Sequence, residues 1–180
     1  MTLSCARAVF ALCRYLPRHI SDEEMIVRAI FSPYHVDTKT RKLKPAAFDP
    51  FRETDEISVM RASILGPHRC KARARKLEDP ANRKAFSGFA VLSVREIRNT
   101  SMAVVDSRKD NFLGHADIKT GVIMPKRGVP KEPEQIRALR AVTSELVSKS
   151  RYCSDPYPKR RGWAGDALVL KPARADRLPN

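Results

Sequence analysis

Apolar residues recur at helical intervals in four parts of the chain, and each part predicts a helix. The first covers about 22–31, because Ser21 and Glu24 have the spacing of a capping box and Ser32-Pro33 would end the helix. The remaining three helices are predicted over residues 67–77, 94–98 and 133–149.

Strand-like patterns separate these helices. Residues 57–61 alternate between apolar and polar side chains, as expected for a strand with one buried face. Shorter apolar runs bounded by turn residues predict further strands over residues 88–92, 102–105 and 115–118. Helices and strands mix without a regular βαβ repeat, which predicts an α+β fold with a small, partly antiparallel sheet packed by three or four helices.

The chain divides by composition into three parts. Residues 1–20 contain arginines around an apolar stretch and no acidic residue, which predicts a basic amphipathic N-terminal extension. A targeting segment, or a start site assigned too early, is the alternative interpretation of this part. Residues 21–150 hold the predicted α+β domain, and residues 151–180 form a basic, proline-containing tail that we expect to pack on it.

Cysteine usage and hydropathy indicate the setting of the protein. The four cysteines form no C-x-x-C pair and lack the regular spacing of a zinc site or a disulfide framework. Free thiols are typical of a reducing compartment, which predicts a cytoplasmic location. No apolar run approaches the roughly 20 residues that a membrane-spanning helix needs.

Charge is the strongest functional signal in the sequence. Lys and Arg number 35 against 20 Asp and Glu, which gives a formal net charge of +15. A folded domain with this excess repels itself, so we expect an acidic partner, either a nucleic acid (DNA or RNA) or an acidic protein.

The predicted helix over 67–77 concentrates this positive charge. Cys70, Ala74 and Leu77 share one face and form a narrow apolar stripe. The other faces carry cations that can neutralise phosphates, and these predicted nucleic-acid-binding residues are Arg69, Lys71, Arg73, Arg75 and Lys76. A solvated surface helix is the alternative, although such helices usually mix charges of both signs.

A second basic segment lies in the tail. Lys159, Arg160 and Arg161 stand close to Tyr157 and Trp163, a pairing of cations and aromatic rings that is typical of single-strand binding sites. We expect the three basic residues to assist the helix in binding nucleic acid. The indole of Trp163 has a second interpretation, as a core anchor for the returning tail.

Two His-x-Asp triplets carry the sharpest chemical signal. His35 and Asp37 form the first triplet, and His115 and Asp117 form the second. Residues i and i+2 of a strand share a face, so each triplet sets an imidazole beside a carboxylate. Together the two pairs would hold a divalent metal or supply a base and its orienting acid. The arrangement resembles phosphoesterases with two His-x-Thr/Ser motifs, except that Asp replaces the hydroxyl residue in both triplets.

These signals give three functional hypotheses. The first is a basic nucleic-acid-binding protein that contacts the phosphate backbone, as a component of a larger complex. The second is a non-enzymatic accessory subunit that presents its basic faces to an acidic protein. The third is a metal-dependent hydrolase or phosphoesterase built on the two triplets. We expect no cofactor, and the absence of nucleotide-binding and hydrolase motifs favours the two non-enzymatic hypotheses.

Overall fold

Six strands form a single sheet in the computed structural model, which describes residues 18–109 and 111–168. The strands are β1 (Met25–Ser32), β2 (Glu56–Arg61), β3 (Ala85–Ser93), β4 (Ala103–Asp106), β5 (His115–Lys119) and β6 (Arg151–Ser154). Their order in the sheet is β4-β5-β2-β1-β3-β6, and each neighbouring pair is antiparallel. The α+β class is therefore confirmed, but the sheet is larger than predicted and its ladders are entirely antiparallel.

Helices cover both faces of this sheet. They are α1 (Ala62–Arg75), α2 (Val94–Arg98) and α3 (Pro133–Lys149), and a short 3₁₀ turn spans Pro45–Phe48. One hydrophobic cluster joins α2, α3 and the 3₁₀ turn to one face of the sheet. A second cluster packs α1 against the opposite face. The sheet is thus the middle layer of the domain, and both of its faces are buried.

The first predicted helix is wrong, because residues 25–32 form β1 in the middle of the sheet. Ile26 and Ile30 pack into one hydrophobic cluster, whereas Val27 and Ala29 pack into the other. A strand buried on both faces has a continuous apolar run and no period-two alternation, so its pattern imitates part of a buried helix.

The apparent capping box in front of β1 has a different role. The Glu24 carboxylate forms an ion pair with the buried Arg61 guanidinium, with Nε and Oε1 2.8 Å apart. Asp106 binds the same guanidinium at 2.8 Å. Glu24 therefore contributes to an ionic network between β1, β2 and β4 rather than to a helix terminus.

The later predictions agree better with the structure. Strands and helices occur at all the other predicted places, and the last helix has the predicted bounds of 133–149. Helix α1 begins earlier than expected and bends at Gly66, whose φ of 71° and ψ of 158° favour glycine. Leu77, which we predicted to be buried, is 58% exposed because α1 has already ended at Arg75.

Strands β1 and β2 are paired at one end only. Their ladder consists of two residue pairs, whereas β1 pairs with β3 over eight residues and β2 pairs with β5 over five. The Arg28 guanidinium occupies the gap, where its Nη1 donates to the Ser58 carbonyl at 2.7 Å and its Nε to the Ala47 carbonyl at 3.2 Å. This separation of the two central strands creates the candidate site.

Candidate functional site

A cavity of about 400 Å³ opens where β1 and β2 separate, on the face of the sheet that α1 covers. Its basic lining residues come from four different parts of the chain and are Arg28, Arg73, Lys76, Lys84 and Lys109. None of the described residues that line this cavity is acidic. Three phenylalanine rings also line it, those of Phe31, Phe51 and Phe112.

A second cavity of about 360 Å³ adjoins the first. The two cavities share Arg28, His35 and Lys84 as lining residues, so they form one groove with these three side chains at its middle. Tyr34, whose side chain is 48% exposed, lies at the second cavity. We call the two cavities together the groove. It is lined by cations and aromatic rings, and the Asp49 carboxylate is an acidic group in the lining of the second cavity.

Aromatic rings hold several of these cations in place. The Lys84 ammonium lies 4.4 Å from the centroid of the Phe31 ring. The Arg73 guanidinium lies 4.5 Å from the centroid of the Phe112 ring and also donates to the Asn111 carbonyl. Such cation–π contacts orient a charge without neutralising it, so the groove keeps its positive potential.

Arg28 remains charged although it is half-buried in the groove. Desolvation lowers the pKa of its guanidinium to about 10, and the neighbouring carboxylates of Asp117 and Asp49 oppose that change. A pKa of about 10 still leaves the side chain protonated at neutral pH. A half-buried cation in a groove attracts an anionic ligand more strongly than a fully solvated one, because less water screens its field.

His35 is neutral in the same environment. The pKa of its imidazole is lowered to about 4, mainly by desolvation and in addition by the nearby charges of Arg28 and Lys84. The backbone N–H of Phe31 donates to Nδ1 at 3.3 Å, which fits an unprotonated nitrogen. The histidine of the first triplet therefore lines the groove, as a neutral polar group.

Asp37, the partner of His35 in its triplet, is absent from the lining of the groove. Its carboxylate accepts hydrogen bonds from the backbone N–H groups of Lys39 and Thr40, at 2.8 and 2.7 Å. These bonds lower the pKa of the Asp37 carboxyl group. Asp37 thus stabilises a turn, and the first triplet does not act as a unit.

The second triplet keeps its two side chains together. His115 Nε2 and Asp117 Oδ1 are 3.8 Å apart on the same face of β5, as the strand spacing predicted. The Ser58 hydroxyl lies between them, 3.0 Å from His115 Nε2 and 3.1 Å from Asp117 Oδ1. On the other side of the ring, the Ser107 carbonyl and hydroxyl contact Nδ1 at 3.1 and 2.7 Å.

The two triplets contribute both of their histidines to one cavity but do not supply four ligands to one point. Within residues 18–109 and 111–168, no group of three or more His, Cys, Asp or Glu side chains is placed to share a metal ion. Sequence reasoning missed Arg28 and Ser58, because Arg28 was assigned to a helix and a single serine in a strand has no motif.

Lys71 of the basic helix does not face solvent. Its side chain is 1% exposed, and its ammonium is 2.6 Å from Asp155 Oδ2. The carbonyls of Tyr157 and Gly162 accept two further hydrogen bonds from it, at 2.8 and 2.6 Å. The ammonium is fully occupied in holding the tail segment on α1, so it is not placed to contact a phosphate.

The helix and the tail meet at two of the other predicted cations. Arg75 Nη1 donates to the Lys159 carbonyl at 3.2 Å, and Arg75 Nε also lies 3.6 Å from Glu78 Oε2 in an ion pair. Within the tail, the Arg160 guanidinium stacks 4.4 Å from the centroid of the Tyr157 ring. The backbone N–H of Trp163 donates to His68 Nδ1 at 2.7 Å. We call this region the helix–tail surface; it consists of Arg69, Arg75, Lys76, Lys159, Arg160 and Arg161. Lys76 also lines the groove and so connects the two.

Two further side chains of this region have structural roles. Trp163 packs against the second hydrophobic cluster, with its ring 5.0 Å from that of Phe89, so it anchors the tail as the alternative interpretation expected. Cys70 is buried beneath α1, and burial raises the pKa of its thiol to about 12. A thiol with that pKa is protonated at neutral pH and is a poor nucleophile.

Comparisons with protein-family models, with curated proteins and with solved structures find no significant match. In the described part of the chain, no helix combines the length and the apolar character needed to cross a membrane. Most of the predicted N-terminal extension, including Cys5 and Cys13, lies outside the described residues, as do the last residues of the tail.

Proposed function

We propose that the protein binds nucleic acid through its phosphates, and that the groove holds two neighbouring nucleosides and the phosphate that joins them. The observation that carries this proposal is the lining of the groove. Its centre contains Arg28 and Lys84, and no described acidic residue lines the larger cavity. Guanidinium and ammonium groups in this density are the usual partners of phosphate oxygens.

The aromatic rings of the groove fit the nucleoside part of such a ligand. Phe51 is 52% exposed beside the larger cavity and Tyr34 is 48% exposed beside the smaller one. Exposed rings flanking cations provide surfaces on which bases stack, and stacking contributes about 1–3 kcal/mol per base at single-strand sites. The volumes of about 400 and 360 Å³ are within the range of roughly 300–1,000 Å³ typical of small-ligand sites.

The helix–tail surface favours a nucleic-acid strand over a free dinucleotide as the ligand. It adjoins the groove through Lys76 and presents Lys159, Arg160 and Arg161 to solvent. Phosphates on either side of the bound nucleosides would meet these cations. A free dinucleotide such as NAD has the same two nucleosides and central phosphates but would leave this surface unoccupied.

Fluorescence anisotropy tests the proposal. Labelled single-stranded RNA, single-stranded DNA and duplex DNA are titrated at about 50 mM salt, and unlabelled AMP and NAD compete for the groove. We expect the single strands to bind and the double variant Arg73→Glu/Lys76→Glu to weaken them at least tenfold, because it reverses two charges at the groove.

The control variant is Arg137→Glu/Arg140→Glu. Both residues are exposed on α3, on the other side of the sheet, and the variant changes the net charge equally. Absence of binding by any oligonucleotide, or an equal loss in both variants, would reject the proposal. Binding of NAD alone, unaffected by Arg160→Glu/Arg161→Glu, would identify a free dinucleotide as the ligand instead.

The accessory-subunit hypothesis stays a prediction. It depends on the apolar residues of the N-terminal extension, of which positions 1–17 lie outside the described structure. The same basic surfaces would serve an acidic protein, so the oligonucleotide titration also separates these two hypotheses.

A further inference from the structure

Ser58 and His115 are in hydrogen-bond contact inside the groove. Their Oγ and Nε2 atoms are 3.0 Å apart, and both residues line the larger cavity. They come from neighbouring strands, since β2 pairs with β5 and places Met60 opposite His115. Ser58 is two residues from Met60 and therefore lies on the same face of the sheet as His115.

The surroundings of His115 set the orientation of its ring. The Ser107 carbonyl lies 3.1 Å from Nδ1 and only accepts hydrogen bonds, whereas the Ser107 hydroxyl, 2.7 Å from Nδ1, can either accept or donate. The Nδ1–H tautomer satisfies both contacts and leaves Nε2 with a lone pair directed at the Ser58 hydroxyl. Phe112 packs beside the ring at a centroid distance of 5.1 Å and restricts its movement.

Charges around the pair favour transfer of a proton from Ser58 to His115. The Asp117 carboxylate lies 3.8 Å from Nε2 and would stabilise the imidazolium that the transfer forms. Arg28 donates to the Ser58 carbonyl at 2.7 Å, which places a half-buried guanidinium beside the serine. That cation would bind the phosphate oxygens whose charge grows during attack on phosphorus.

We propose that Ser58 is a nucleophile, that His115 is its general base, and that the pair cleaves a phosphate ester held in the groove. This inference rests on the proposed function, because it takes the phosphate of the bound nucleotide as its substrate. The class of reaction is phosphoryl or nucleotidyl transfer to water through a covalent serine intermediate.

The proposed steps balance as follows. Ser58 Oγ forms a bond to phosphorus and its proton moves to His115 Nε2, while the bond from phosphorus to the leaving alcohol oxygen breaks. The imidazolium then returns the proton to that oxygen. A water molecule attacks the phosphorus of the phosphoserine and gives a proton to His115 Nε2. The Ser58 Oγ–P bond breaks, and the imidazolium returns that proton to Ser58 Oγ, which regenerates the serine and the neutral histidine.

A second hydrogen-bond arrangement of the same atoms would leave Ser58 inactive. The Ser58 hydroxyl is also 3.1 Å from Asp117 Oδ1, so it can donate to that carboxylate while His115 donates from Nε2. In that arrangement the cluster would only satisfy buried polar groups of the sheet. The two arrangements differ in the nucleophilicity of Ser58, which is measurable without a known substrate.

Diisopropyl fluorophosphate is the test reagent. A base-activated serine attacks its phosphorus and expels fluoride, and intact-mass spectrometry detects the adduct while peptide mapping locates it. We expect one adduct, on Ser58, in the wild-type protein. Ser58→Ala should remove it, and His115→Ala should slow its formation at least about 100-fold, the usual contribution of a general base.

Ser63→Ala is the matched control, because Ser63 is an exposed serine outside the groove and should leave labelling unchanged. No adduct on wild-type Ser58, or equal labelling rates with and without His115, would overturn the assignment. Labelling does not require a nucleotide, so its outcome is independent of the anisotropy titration. If oligonucleotides bind but Ser58 is not labelled, only the assignment of Ser58 as a nucleophile is rejected. If Ser58 is labelled but no oligonucleotide or nucleotide binds, only the proposed ligand is rejected.

Discussion

At the scale of the residue, the site depends on the protonation states of the ionisable side chains that line the groove. It leaves the half-buried Arg28 protonated, and it keeps His35 neutral. Desolvation is the largest cause of both pKa shifts, because it disfavours the charged form of each side chain. The state of His35 therefore reports this desolvation together with the charges of Arg28 and Lys84.

Acid should destabilise the protein through His35. The pKa of this histidine falls from 6.5 in the unfolded chain to about 4 in the fold, so the unfolded state binds more protons between these values. Stability is then complete above pH 6.5 and declines as the pH falls towards 4. We expect a loss of about 2 kcal/mol by pH 4.5, since each pKa unit corresponds to about 1.4 kcal/mol.

Urea denaturation at pH 7 and pH 4.5 measures this loss. His35→Asn should remove most of the difference, because asparagine has an acceptor for the Phe31 N–H but does not titrate. His19→Asn is the matched control, at an exposed histidine outside the groove. A His35→Asn protein with the wild-type pH dependence would contradict the assignment of the shift to His35.

Residue types predicted part of the site correctly. Both triplet histidines line one cavity, and His115 stays beside Asp117 as the period of a strand requires. Asp37 could not be placed from the sequence, because its carboxylate could bind either the His35 imidazole or nearby backbone N–H groups. In the structure it accepts hydrogen bonds from the backbone N–H groups of Lys39 and Thr40. Local hydrogen bonds to the backbone need no long-range convergence, and this is why they prevail at such positions.

At the scale of the element, the largest error in prediction concerned β1. Its apolar residues face two hydrophobic clusters, so the sequence contains no alternation by which a strand could be recognised. The error also hid Arg28, because a helix over 22–31 gave no reason to place this residue between two central strands. The separation of β1 from β2 follows from long-range pairing with β3 and β5, to which local sequence patterns are insensitive.

Lys71 illustrates a similar difficulty on α1. Arg69 on the same helix is exposed and Arg73 is half-buried, but the tail covers Lys71 and buries its ammonium against Asp155. Only the course of residues beyond 150 determines which face of α1 is covered. Basic residues at successive helical positions therefore have different environments on one helix.

Removal of the Lys71 ammonium should release the tail. Lys71→Ala leaves the Asp155 carboxylate buried without its cation, which typically costs about 3–5 kcal/mol. Because Trp163 is the single tryptophan of the chain and packs beneath the tail, its fluorescence should shift to longer wavelength in this variant.

The double variant Lys71→Ala/Asp155→Ala should lose less stability than the sum of the two single variants, because it leaves no unpaired charge. Arg69→Ala is the control on the exposed face of α1 and should keep the wild-type fluorescence. Additive losses and an unchanged Trp163 spectrum in Lys71→Ala would show that the ion pair does not hold the tail.

At the scale of the whole molecule, the net charge of +15 has several physical roles. Some cations are structural, such as Arg61 in its network with Glu24 and Asp106, and Lys71 with Asp155. Others converge on the groove from separate elements, with no described carboxylate in the lining of its larger cavity. Composition predicted an acidic partner, but it could not separate these roles, because pairing depends on the fold.

The salt dependence of binding should identify which kind of nucleotide the molecule binds. A single strand that contacts about five cations of the groove and the helix–tail surface gives a slope of about −3.5 in log Kobs against log salt. A free dinucleotide has too few phosphates to condense counterions, so its slope should be much shallower. Arg160→Glu/Arg161→Glu should reduce the slope for a strand by about 1.4, because two contacts are lost. Titrations between about 50 and 200 mM salt measure both slopes, and a strand whose slope does not respond to this variant would show that the helix–tail surface lies outside the interface.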